Sequence, residues 1–186
     1  MKYLACVFAI GLMCACAQPE SQARNTTADI PQTIGCNAQA SRDWSAVGSQ
    51  YYVIEAEAHG PNCADAVATM RIKSRDGAVL FERDYPTAHV PLAFNPNNTQ
   101  TGLRAELDAW IQNTAIEERA STLPAWPAGA SAPPNFQPAV GRGRYEGARG
   151  AQGPLFCFPD GAESNACIAM AGDNATLLGS LTPERL

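Results

Sequence analysis

Residues 66–85 read AVATMRIKSRDGAVLFERDY, two alternating runs joined by the dipeptide Asp76-Gly77. In the first run Ala66, Ala68, Met70 and Ile72 alternate with Thr69, Arg71 and Lys73, the period of a half-buried β-strand. Asp-Gly tolerates the positive φ angles of a type I′ turn, so the segment is expected to be a hairpin. A two-residue loop places Arg75 opposite Ala78. Counting back, Ile72 faces Phe81 and Arg71 faces Glu82, which puts a core pair and an ion pair on opposite faces.

Working outward, the same period runs through 51–58, where Tyr52, Ile54, Ala56 and Ala58 alternate with Val53, Glu55 and Glu57. His59-Gly60-Pro61-Asn62 separates this run from the hairpin. Further upstream, Ser41 has the character of an N-cap, so residues 41–44 are expected to form one helical turn carrying Trp44 as a core anchor. Downstream, 85–94 is extended and broken by Pro86 and Pro91, and 95–99 is a turn cluster. From 99 to 119 the period becomes helical, with Leu103, Leu107, Trp110, Ile111 and Thr114 on one stripe. Residues 123–138, LPAWPAGASAPPNFQP, contain five prolines and suit neither a helix interior nor a central strand. An extended arm packed down by Trp126 and Phe136 is expected there. Residues 141–147 then lead, as a glycine-rich approach, into strand-like runs at 155–158, 167–170 and 175–181. Their expected turns are Pro159-Asp160-Gly161 and Asp173-Asn174. The expected fold is α+β: an antiparallel sheet, one long amphipathic helix packed across it, and a disulfide-stapled C-terminal hairpin.

The first sixteen residues, MKYLACVFAIGLMCAC, follow a different logic. Lys2 precedes an apolar run too short to span a bilayer, which needs about 20 residues, and small residues close it. The end of this segment resembles the lipobox of bacterial envelope lipoproteins. Ala15 fits the position before Cys16, Met13 stands in for the usual Leu, and Cys14 takes the middle position. The resemblance implies a signal peptide over 1–15 and a lipid on Cys16; the polar stretch that follows lacks apolar periodicity, so 16–34 is expected to be a flexible tether ahead of a single domain at 35–186. It also implies a periplasm-facing, lipid-anchored protein, sorted to the outer membrane because Ala17 rather than Asp follows the cysteine. As the alternative, Ala15-Cys16-Ala17 is also an A-x-A site, and cleavage before Gln18 would release a soluble periplasmic or secreted protein.

The 186 residues carry a formal net charge of −5, more acidic by one unit once Lys2 is removed. That field repels nucleic acid, so no nucleic-acid partner is expected. Among seven cysteines, Cys36, Cys63, Cys157 and Cys167 remain after either cleavage. In an exported chain four cysteines read as two disulfides, with three possible pairings. The sequence-local solution, Cys36–Cys63 and Cys157–Cys167, is expected.

Chemistry is sparse. His59 and Cys63 have a spacing that a metal could use, but a turn histidine beside a disulfide cysteine explains both, and no C-x-x-C pair exists. Glu55 and Glu57 share a strand face, as paired carboxylates in a glycosidase would, although solvated carboxylates are far commoner there. No nucleophile motif is present, and a hydrolase would have to use His59 or His89 as its base. The run Gly143-Arg144-Tyr145 resembles the small-residue-Arg-Tyr run that envelope lysozyme inhibitors carry on a disulfide-stabilised β domain. The resemblance implies binding through Arg142, Arg144 and Tyr145, with a glycine-rich strand approach as the plainer alternative. No cofactor is expected. The function expected is non-enzymatic: a binding or structural role in the envelope toward an envelope protein or small ligand.

Overall fold

The computed structural model describes residues 35–112 and 118–182. The signal segment, Cys16 and the 16–34 tether lie outside them, as do Thr114 and Glu117 of the expected helix. Two four-stranded antiparallel sheets form the frame. In the first, β1 (Cys36–Ala46), β2 (Gln50–Gly60), β3 (Val67–Ser74) and β4 (Val79–Pro86) follow one another as a meander. The helix α1 (Gln100–Gln112) comes next, then the short strand β5 (Phe136–Pro138) and a second helix, α2 (Arg142–Ala151). Strands β6 (Leu155–Pro159), β7 (Asn165–Ala171) and β8 (Asn174–Leu181) complete the second sheet, in the order β5-β8-β7-β6.

The hairpin register holds where it was read: Arg71 pairs with Glu82 and Ile72 with Phe81. The turn differs. Only Gly77 takes a positive φ, 88°, so Asp76 does not enter the left-handed region that a type I′ turn demands of both central residues. Ser74, rather than Arg75, meets Ala78: its N–H donates to the Ala78 carbonyl at 2.9 Å, and its hydroxyl accepts from the Ala78 N–H at 3.0 Å. The loop is therefore three residues long. A register shift between Ile72 and Lys73, which pairs with Val79, leaves Leu80 over and restores the alignment beyond.

Residues 41–44 are not helical. They continue β1, whose alternate residues Cys36, Trp44 and Ala46 are buried while Ala38 and Ala40 pack at the edge of the core. A row of inward apolar side chains along β2 outweighs a local capping signal at Ser41; Trp44 lies opposite Tyr52 and stacks on it at 5.2 Å. The Asp173-Asn174 turn is displaced by one residue, since Ala171 pairs with Asn174 across Gly172-Asp173 and the glycine takes the positive φ.

The single long helix is also corrected. Within the described residues α1 ends at Gln112, and Arg119 is extended, bridging Pro154 beside the start of β6. The second helix sits where a glycine-rich strand approach was expected. Three of its ten residues are glycine, each costing about 1 kcal/mol of helix propensity relative to alanine, so local preference alone argues against it. Tertiary contacts overrule that preference. Tyr145 is fully buried and its hydroxyl donates to the Pro124 carbonyl, while Arg149 donates to the Leu123 carbonyl.

The second sheet is buried on both faces. Phe156, Phe158, Ile168 and Met170 meet the inner face of the first sheet together with α1. Leu155, Cys167, Ala169 and Leu178 meet Tyr145 of α2 and Leu123 and Phe136 of the proline-rich arm. That is why β7 reads as an unbroken apolar run: a strand covered on both sides has no solvent face to alternate toward. Gly179 serves the same closeness, because a Cβ there would lie 2.2 Å from the Gln137 carbonyl oxygen on β5, at a φ of 146°.

Tyr85, inward-facing on β4, is buried with its hydroxyl lacking a partner among the described residues. Burial pushes its phenol well above the usual range. Removing an unsatisfied buried hydroxyl relieves its desolvation cost, so Tyr85→Phe should be neutral or stabilise by about 1 kcal/mol. A higher denaturation midpoint at unchanged m is the expected result; a loss of stability would show that the hydroxyl has a partner after all.

Candidate binding surface

The outer face of the first sheet is a ladder of ion pairs. Lys73 reaches Glu55 at 2.6 Å, and Arg71 lies between Glu57, at 2.7 Å, and Glu82. The hydrogen bond from Arg71 holds the Glu57 carboxyl below the usual carboxylate range. Each of the two glutamates on β2 thus has its own cation, and the pair is not arranged as an acid beside a base. His59 is exposed; its Nδ1 lies 2.9 Å from the Asn37 side-chain oxygen and its Nε2 3.7 Å from Glu57. Cys63 is bonded to Cys36, so the His59/Cys63 spacing offers a metal no thiolate. Among the described residues no three His, Cys, Asp or Glu side chains converge. His89 is exposed and closes a 3-10 turn, Thr87–His89.

Cys157 and Cys167 also form a disulfide, between directly paired positions of β6 and β7. Arg142, Arg144 and Tyr145 do not form one surface. Tyr145 points inward against Phe136 and Trp126, at 5.1 and 5.6 Å, and burial pushes its phenol up to about 12. Arg142 donates to the Trp126 carbonyl, and Arg144 is exposed two residues along the helix, near the opposite side. The tripeptide that resembled the inhibitor motif is half core.

A run of concave surface lies elsewhere, along β1. Three adjoining hollows share Arg104, and each includes Gln39. The first, about 510 Å³, lies between Asn37, Gln39 and His59 on one wall and Gln100, Thr101 and Arg104 on the other. The next carries the trough on between Ser41 and Asp108. Residues 37–39 share the first hollow with Gln100, Thr101 and Arg104, and residues 39–41 share the next with Thr101, Arg104, Ala105 and Asp108, so α1 advances along β1 in the same direction. The exposed guanidinium of Arg104 makes no hydrogen bond or ion pair among the described residues.

The backbone along this trough is equally open. Strand β1 pairs with β2 in unbroken register from Cys36 to Ala46, and its other edge has no strand neighbour among the described residues. Exposed edges template unwanted pairing unless they are blunted. The β4 edge carries the Leu80 bulge and the exposed charges Glu82, Arg83 and Asp84; β5 is three residues ending in proline; β6 ends at Pro159 and is bridged at its start by Glu118–Ala120. Strand β1 has eleven residues, no proline and no bulge, and its only charges are the neighbouring Arg42 and Asp43. Sequence reading missed this surface because its residues are ordinary. Only the free edge and the parallel course of α1 give Gln39, Arg104 and Asp108 a common position.

Compared with protein-family models, with curated proteins and with solved structures, the chain matches none. No helix of the described residues is long and apolar enough to cross a membrane.

Proposed function

We propose that this is an exported, lipid-tethered protein of the bacterial cell envelope, non-enzymatic, which faces the periplasm and holds a protein partner along the β1 trough. Cys16 is the acylated residue in this reading, and the outer membrane its place. The observation that carries the export half is the pairing of all four remaining cysteines, Cys36–Cys63 and Cys157–Cys167, since such bonds persist in oxidising compartments and are rare in the cytosol. The partner half rests on the long β1 edge, which has no strand neighbour among the described residues, no proline and no bulge; an added strand would gain main-chain hydrogen bonds there while its side chains settle beside α1.

Two measurements test the halves separately. Metabolic labelling with palmitate and intact mass should find acyl mass on a chain beginning at Cys16, and Cys16→Ala should abolish it; a mature form beginning at Gln18 without acyl mass would refute the anchor. A photo-crosslinking residue at Gln39 should capture a protein in intact envelopes, whereas one at Asp84 on the β4 edge should not. Equal capture at both positions would remove β1 as the binding edge.

A further inference from the structure

We propose that the partner along β1 is a second copy of this chain, added antiparallel through the β1 edge so that two four-stranded sheets become one of eight strands. The inference rests on the β1 trough as a partner surface and goes on to name the partner.

The argument is one of self-complementarity. A two-fold interface presents the same patch twice, so each residue must suit its own symmetry mate. On the exposed flank of α1, Arg104 and Asp108 lie one turn apart yet form no ion pair with each other. An arginine preceding an acid by four residues is the poorer order for pairing within a helix. Across a two-fold axis passing level with Glu106, however, Arg104 of one copy meets Asp108 of the other, twice. Gln39 and Arg104 line all three hollows and α1 advances in the same direction as β1, so an axis two helical residues, about 3 Å, beyond Arg104 falls about one strand residue beyond Gln39, at Ala40.

An axis at Ala40 also fixes the strand register. Ala40 faces its own mate, Gln39 faces Ser41, Ala38 faces Arg42, and Asn37 faces Asp43. No like charges stand opposite one another, although β1 carries both Arg42 and Asp43. Small residues, Ala38 and Ala40, lie on the α1 side of the strand at the axis, where two α1 helices would converge to the 8–10 Å separation usual for packed helices. The strand thus accepts the centre that the helix pair selects, and no like charges meet across it on β1.

The test uses the full chain in intact envelopes. Ala40→Cys should yield a disulfide-linked dimer on non-reducing gels, and Asp84→Cys, on the far edge of the same sheet, should remain monomeric. In sedimentation of the purified full-length protein, Arg104→Asp should weaken dimerisation roughly tenfold by setting like charges opposite each other twice, and Arg104→Asp/Asp108→Arg should restore it. Ser41→Lys, on an exposed side chain, should block the edge with circular dichroism unchanged. The proposal is overturned if the wild type stays monomeric to about 100 µM, where even weak self-association is visible, or if the charge swap fails to rescue. Capture of a different protein at Gln39, with no dimer from Ala40→Cys, would overturn the second copy while leaving the trough as a partner site. No capture of any protein at Gln39 would end both.

Discussion

Trp110→Ala should cost about 4 kcal/mol, close to the whole stability of a marginal domain. Its side chain joins three parts of the core. Its ring is 1% exposed and stands edge-on to Phe94, Tyr85 and Phe158, at 5.0, 5.6 and 5.6 Å. These partners come from the loop before α1, from the last strand of the first sheet and from the first long strand of the second. Removing the indole opens a cavity where all three meet, and the rigid ladders around it limit collapse. It also strands the Pro159 carbonyl, which accepts from the indole N–H at 2.7 Å. Trp110→Phe separates the two contributions: it keeps most of the packing and loses the hydrogen bond, for about 1–2 kcal/mol. Urea unfolding of both variants is the check. If the phenylalanine variant costs as much as alanine, the hydrogen bond and not the ring contacts holds the sheets at that point.

Loss of the Cys36–Cys63 bond is the second large effect. The bond spans 27 residues and encloses β1 and β2, and its removal should cost about 3.5 kcal/mol in the chain-entropy account. The Cys157–Cys167 bond spans 10 residues within a hairpin that is already paired, so its loss should cost about 2.7 kcal/mol. The ranking is the useful quantity. Double alanine variants of each pair, compared by denaturation midpoint, should place the longer loop as the more damaging. The reverse order would mean that native packing around the buried Cys167, and not loop closure, dominates.

How far the sequence disclosed this molecule depends on whether the governing contact was local. Residues 51–58 and 66–85 alternate regularly enough that strand and face follow from them, and the hairpin register too from Ile72–Phe81 outward, though not at the turn; the buried set Tyr52, Ile54, Met70 and Ile72 is the expected one. The stripe Leu103, Leu107, Trp110 and Ile111 located α1 for the same reason. The disulfide pairings followed from nearness along the chain. Failures cluster where a distant partner decides. Ser41 looks like a cap until β2 lies alongside it. The run from Arg142 to Ala151 looks non-helical until the pocket for Tyr145 is built from Pro124, Trp126 and Phe136, six or more residues upstream. That two sheets form, and not one, could not be read either, since only packing shows that β7 is covered on both sides. The β1 trough was invisible because it consists of an absence, an edge with no strand neighbour among the described residues, and composition does not record absences.

The position of the first disulfide has a mechanical consequence. The described fold begins at Gly35, and Cys36 is the first residue of its edge strand. A pull on the chain from its N-terminal side would ordinarily open such a strand like a zip, one rung at a time, which is the weakest way to load a sheet. Here the load leaves the strand at its first rung. It passes through sulfur to Cys63, in the connection between β2 and β3, and β1 with β2 becomes a slack loop behind the bond. Under tension the edge strand bears no force, and the first rungs to be strained belong to β3, inside the sheet.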